Sequence, residues 1–173
     1  MRISHEIEIT PTTVIFNGQP IEVHETGEKM LVELYRRYVK DYPKFFKMDT
    51  LSRLGFIAAE LLLKDQSVDA VILANRSASI KNDMDYLVTI TGENYYPSPA
   101  LFVYTLPNIV TGEIAIRHHI QGETSFYILE NQKELGPIIL STFQSPLSAV
   151  LTGWCECSQA NEFYAKLQII WNN

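Results

Sequence analysis

The sequence is poor in the residues that build reactive or cross-linked centres. It holds two cysteines, Cys155 and Cys157, and four histidines in 173 residues. Two thiols cannot make a four-thiolate zinc site. Glycine-rich phosphate loops are missing: neither G-x-G-x-x-G nor G-x-x-x-x-G-K-[ST] occurs, so no nucleotide cofactor is expected. The G-x-S-x-G of a nucleophile elbow is also missing. No apolar run reaches the ~18 residues of a transmembrane helix. Met1 to Thr10 is charged and alternating, unlike a signal peptide. A cytoplasmic protein with no membrane partner is the expectation.

Positive charge is scarce too. Fourteen Lys and Arg face twenty Asp and Glu, for a net charge of −6. Such a surface repels nucleic acid unless a basic patch exists. The densest basic stretch, Arg36, Arg37, Lys40, Lys44 and Lys47, is interrupted or flanked by Glu28, Glu33, Asp41 and Asp49. It reads as a solvated helix face, and no nucleic-acid partner is expected.

What remains is ordinary globular composition, 46% hydrophobic and 11% aromatic. One domain over 1–173 is expected. Alternation over His5–Ile9 predicts a half-buried strand. Thr13–Phe16 and Ile21–Val23 flank the turn dipeptide Asn17–Gly18, which predicts a small N-terminal hairpin. Gly27–Val39 has helical spacing. Asp49 suits the N-cap of a second helix, Thr50–Lys64. Asp69–Ala74 is almost wholly apolar, as in a strand buried on both faces. The polar residues Asn75–Ser79 follow at its carboxyl end, where ligands tend to sit in open α/β sheets. Asp83–Ile90 reads as a helix, 92–99 as a loop, and Ala100–Ile120 as helical with a break near Pro107. Thr124–Leu129 reads as a strand. Gly136–Pro137 argues against a regular helix across Lys133–Pro146. Ala149–Trp154 reads as a strand ended by Gly153–Trp154, and Phe163–Trp171 as a final strand. The order is that of a layered α/β domain.

The chemical candidates are few. His118 and His119 are adjacent and point about 100° apart on a helix, so they do not chelate as an i, i+4 pair would. No metal site is expected. Cys155 and Cys157 lack a helix N-terminus or cationic neighbour to lower their pKa, and read as structural. Asp83 and Asp85 read as a charged helix start. Asn108 reads as a helix cap, and Gly112 as a point of close packing between elements.

One cluster carries more: Ser98–Pro99, Phe102, Thr105–Leu106–Pro107–Asn108 and Gly112–Glu113–Ile114–Ala115–Ile116, then Gly122. S-P-x-x-F-x-x-T-L-P-N-x-x-x-G-E-I-A-I resembles the β-ketoacyl synthases (3-oxoacyl-ACP synthases) of the thiolase-like superfamily. Met48–Asp49 with Leu51–Phe56 resembles the early M-D helix of that family. Leu151–Glu156 resembles its G-containing strand. The likeness covers almost the whole chain. It is nearest to short synthase-like proteins of acyl-carrier-protein-dependent pathways such as aryl polyene synthesis. It implies an α/β, three-layer, thiolase-like half: a mixed, mostly parallel five-stranded sheet with helices on both faces.

Two departures follow from the resemblance. The nucleophilic cysteine of the family, nine residues after the glycine at Gly122, falls here on Asn131. No cysteine lies within twenty residues of it, and an amide cannot form the acyl thioester. The His residues of the second half also have no position in this chain. The resemblance therefore implies a non-catalytic synthase-like subunit that pairs with itself or with a true synthase. It implies Phe126, Tyr127, Ile128 and Leu129 as interface candidates, because in that family the strand before the nucleophile pairs across the dimer. An acyl carrier protein is a further expected partner. Two alternatives stay open: a cysteine-independent acyl-thioester enzyme (decarboxylase or acyltransferase) using Asn108, His118, His119 or Asn131, and an acyl-chain or carrier-protein binding module. No cofactor is expected.

Overall fold

The computed structural model describes residues 1–92 and 95–172. Its frame is one seven-stranded sheet. The strands are β1 (Arg2–Ile9), β2 (Val14–Phe16), β3 (Gln19–Ile21), β4 (Ala70–Asn75), β5 (Thr124–Ile128), β6 (Ala149–Gln159) and β7 (Glu162–Trp171). They lie in the order β3-β2-β1-β7-β6-β4-β5. Five strands were expected. The N-terminal hairpin supplies the other two, because β2 pairs antiparallel with the outer side of β1 and continues the sheet. Asn17 and Gly18, both at positive φ, make the turn.

The sheet is also less parallel in its pairings than expected. β4 runs parallel to β5 and β6, but β1, β2, β3, β6 and β7 are joined to one another by antiparallel pairings. The sheet is mixed. Two antiparallel steps bring β1 and β6 back to one direction, so β2 and β7 alone run against the rest.

Helices cover both faces, as expected. α1 (Gly27–Leu34), α2 (Thr50–Leu62) and α5 (Ile109–His118) lie on one side. A π-helical turn, Tyr35–Val39, continues α1, and a 3-10 turn, Pro43–Lys47, precedes α2. Here Leu31, Leu54 and Ile57 meet Val71, Leu73, Leu151 and Leu167. The other side holds a smaller cluster, in which Leu135 and Ile139 of α6 (Leu135–Thr142) meet Ala70, Ile72, Ala74, Val150 and Ile170. Alternate residues of β4 serve the two sides, which is why that run has no polar face. α3 (Ile80–Ile90) and α4 (Pro99–Val103) pack together beyond the carboxyl end of β4. Of the loop expected over 92–99, residues 93 and 94 lie outside the described residues.

Two further expectations are overturned. β6 does not end at Gly153–Trp154 but runs on to Gln159. Gly153 sits at φ +151, and a Cβ there would meet backbone atoms of Lys166 and Leu167 on β7. The glycine permits a close approach inside the strand and does not stop it. A helix also crosses Gly136–Pro137. Pro137 falls in the first turn of α6, where its missing N–H has no helical partner to lose.

Candidate functional site

The carboxyl end of β4 was the expected place for a ligand. Asn75 is fully buried there. Its side chain donates to the Ala78 carbonyl and accepts from the Ala78 N–H, both at 2.8 Å, which closes the loop. Ser79 Oγ donates to the Thr105 carbonyl at 2.6 Å and ties the loop to the chain after α4. Beside it is a cleft of about 280 Å³ lined by Glu28, Asp49, Arg53, Lys81, Asp85 and Tyr104, among others.

Most charges of that cleft are already engaged. The Asp49 carboxylate caps α2 as expected, accepting from the Ser52 N–H at 3.0 Å. Burial pushes its pKa up, against the pull of that hydrogen bond. Arg53 donates to the carbonyls of Phe45 at 3.2 Å and Phe46 at 3.0 Å. Lys81 pairs with Asp85 at 2.7 Å, and Thr50 donates to Glu28. Cys157 is near enough to feel Asp49, Lys81 and Glu28, but burial pushes its thiol up to about 12. Burial raises Cys155 well above the ordinary thiol range as well. A thiol held protonated is a poor nucleophile. The cleft holds one ion pair, Lys81–Asp85, with Glu28, Asp49 and Arg53 tied up in hydrogen bonds, and the nearby Cys157 thiol is not activated.

A second polar cluster spans α2 and α5. Arg117 donates to Glu60 at 3.1 Å and to Asp41 at 2.7 Å. His118 Nε2 is 2.8 Å from Glu60 Oε1, without hydrogen-bond alignment. Burial raises the Glu60 carboxyl, but the contacts from His118 and Arg117 outweigh it and leave the pKa below the ordinary value. Nearby, the nearly buried Glu113 accepts from Tyr42 Oη at 3.0 Å and pairs with Lys44 at 2.5 Å. Burial, with Glu113 second, pushes the Tyr42 hydroxyl up to about 12. This network locks the chain before α2 onto α5. Its members are far apart in sequence, Glu60 and Arg117 being 57 positions apart, so no local motif announced it.

The four polar candidates are not brought together. Asn108 stands before α5 and His118 ends it, about 15 Å apart along a ten-residue helix. Asn108 is exposed and its side chain makes no cap; its carbonyl instead accepts from Thr111 Oγ1 at 2.8 Å. His119 is exposed and terminates the helix in the left-handed conformation, at φ +55. Asn131 lies past β5 on an exposed 3-10 turn, where it accepts from the Lys133 N–H at 3.1 Å and donates to Glu134 at 2.6 Å. Gly112 is not a contact point either, since a Cβ there would meet nothing within 4 Å. Besides Gly153, close approaches occur at Gly27, against Asn161, at Gly55, against Val110, and at Gly122, against the Asp69 carbonyl. Among the described residues no group of three or more His, Cys, Asp or Glu is placed to hold a metal ion, and no helix is long and apolar enough to cross a membrane.

The interface candidates fare differently. β5 is the outermost strand of the sheet and pairs on one side only. Phe126, Tyr127 and Leu129 are half-buried and Ile128 is exposed. Phe126 leans on the larger cluster, Tyr127 and Leu129 on the smaller.

No protein-family model matches the sequence, and no curated protein matches it. A solved structure does. It is the ketosynthase ApeO in complex with its chain length factor ApeC from Xenorhabdus doucetiae, at a TM-score of 0.74 and 14% identity. The likeness covers 99% of this chain and 79% of the matched one. The chain has a ketosynthase-like fold of the thiolase type. Asn131, the position to which the resemblance assigned the nucleophile, lies on the turn after β5 with its amide exposed. What the sequence reading missed on this frame is the outer surface of α3. Ile80, Met84, Leu87 and Val88 were visible at helical spacing, but spacing alone does not say which side of a helix is covered.

Proposed function

We propose that this protein is a non-catalytic, ketosynthase-like partner subunit in an acyl-carrier-protein-dependent fatty acid or polyene/polyketide pathway. It acts by pairing with a true ketosynthase or with itself. The observation that carries the reading is the turn after β5. It holds Asn131 as a turn cap bonded to Glu134, and the two thiols of the chain are buried on β6. Covalent acyl transfer needs a nucleophile and an adjacent activating base, and the candidates Asn108 and His118, at opposite ends of α5, do not converge into such a pair. The matched structure is itself a pair, a ketosynthase with its chain length factor, and the matched chain is only modestly longer than this one. The open edge of β5 supports pairing, since a bare edge with Phe126, Tyr127 and Ile128 is an aggregation hazard unless covered. The scatter of Asn108, His118, His119 and Asn131 counts against the cysteine-independent enzyme.

The test is intact-protein mass after mixing with acyl and malonyl thioesters of coenzyme A and of acyl carrier protein, with released thiol and CO₂ assayed in parallel. The expected result is no adduct and no release above the protein-free control. A stable acyl adduct or steady turnover overturns the proposal.

A further inference from the structure

A cavity of about 240 Å³ opens on the smaller-cluster side of the sheet, between α6 and the β6–β7 pair. Leu135 and Ile139 of α6 line one wall, and Thr152 of β6 with Gln168 and Ile170 of β7 line the other. Leu135 and Ile139 are one helical turn apart, and Gln168 and Ile170 two strand residues apart, so these walls run only ~6–7 Å. Thr152 stands on this side together with Val150 and Trp154, its neighbours two residues away, which belong to the smaller cluster. It is 2% exposed, and its Oγ1 finds no hydrogen-bond partner among the described residues. A buried hydroxyl left unpaired is costly and uncommon, and calls for a partner from outside the chain. Gln168 lies directly across from Thr152 in the ladder, and its carboxamide can donate as well as accept. Lys133 is exposed and carries the one charged side chain of the lining. It makes no ion pair among the described residues. The adjacent acid, Glu134, is bonded to Asn131 at 2.6 Å. α6 begins at this end, so the positive end of its dipole adds to the Lys133 charge. On a chain of net charge −6, this hollow has a cation and no acid in its lining.

We propose that this cavity is a binding site for a small monocarboxylate built on a single ring, of which benzoate is the simplest. The carboxylate accepts from the Thr152 hydroxyl and the Gln168 carboxamide, and the long Lys133 side chain closes over it. Hydrogen bonds to an ionised acceptor are the strong ones, and this one supplies the partner that Thr152 lacks. The ring rests on Leu135, Ile139 and Ile170. Size selects the class. The volume lies below the ~300–1,000 Å³ of sites for drug-sized ligands, which leaves no room for a nucleotide, and walls one helical turn long hold a ring rather than an extended chain. An inorganic anion is the poorer fit, because it would leave the three apolar side chains uncovered.

The inference stands apart from the partner-subunit reading. It concerns a free acid rather than a thioester or a protein, and its test reads binding rather than turnover, so either can fail without the other. The full chain, labelled with ¹⁵N, is titrated at pH 7 with benzoate up to about 20 mM, and separately with benzamide and with inorganic phosphate. Saturable shifts are expected at the amides of Lys133, Thr152 and Gln168, with a Kd on the order of 1 mM. Benzamide, which keeps the ring, and phosphate, which keeps the charge, are each expected to bind about tenfold more weakly or worse. Lys133→Gln, at the surface, is expected to raise the benzoate Kd about tenfold. Thr152→Val is expected to raise it about fivefold, with Tm equal to the parent or higher because the unpaired hydroxyl is gone. Lys29→Gln, on α1 across the sheet, is expected to leave it unchanged. No saturable shift at the three amides overturns the proposal and leaves Thr152 to a water. So does equal binding of benzamide or phosphate, a Kd that either Lys133→Gln or Thr152→Val leaves unmoved, or a loss of binding in Lys29→Gln, which marks a general attraction of anions to the surface.

Discussion

Replacing Gly153 with alanine puts a methyl group where β7 already lies. Two costs follow from the structure. The backbone at φ +151 is a conformation that L residues rarely adopt, and holding one there costs about 1–3 kcal/mol. The new Cβ also meets Lys166 and Leu167 backbone atoms. Those atoms are held by the β6–β7 ladder, between the pairs Thr152↔Gln168 and Trp154↔Lys166, so they cannot yield as a flexible side chain would. Overpacking of this kind costs about 1–3 kcal/mol more. The sum, roughly 2–6 kcal/mol, is a large part of the ~5–15 kcal/mol that holds a domain folded. At about 2–4 °C per kcal/mol for this chain length, Tm should fall by roughly 5–20 °C. Gly112 is the matched control. It lies within α5 with nothing inside 4 Å of its Cβ position. Alanine there removes backbone freedom from the unfolded chain and should stabilise by about 0.5–1 kcal/mol. Urea and thermal unfolding followed by circular dichroism measure both. A Gly153→Ala protein as stable as the parent, or a Gly112→Ala protein destabilised by more than about 1 kcal/mol, refutes the argument.

The thiols should be silent in the folded protein. At pH 8 neither Cys155 nor Cys157, the latter with its thiol pushed up to about 12, should react with a chromogenic disulfide on the timescale of manual mixing, and both should react at once in denaturant; rapid labelling of the native protein contradicts the burial. Glu60, with its carboxyl lowered from the ordinary value of 4.5, should contribute stability that is complete above that value and fades as pH falls through its folded one. Glu60→Gln should therefore lower Tm at pH 7 and lose less stability than the parent below about pH 4.5; parallel Tm curves for the two proteins are the result that contradicts it.

The sequence by itself determined the elements whose signal is local. The Asn17–Gly18 turn, the Asp49 cap and the wholly apolar β4 were legible because each depends on a few adjacent residues and one physical rule. The likeness to a ketosynthase-like fold was legible because the order of motifs survives without the fold. The tertiary structure decided what depends on neighbours distant in the chain. It placed the hairpin on the outer side of β1 and so widened the sheet to seven strands. It pressed Gly153, read from sequence as a strand end, against β7, and left Gly112, read as a point of close packing, touching nothing. It also left Asn108, His118, His119 and Asn131 apart, and turned the apolar stripe of α3 outward. Periodicity records which residues share a side of a helix; only packing assigns that side to the core, to a partner or to water.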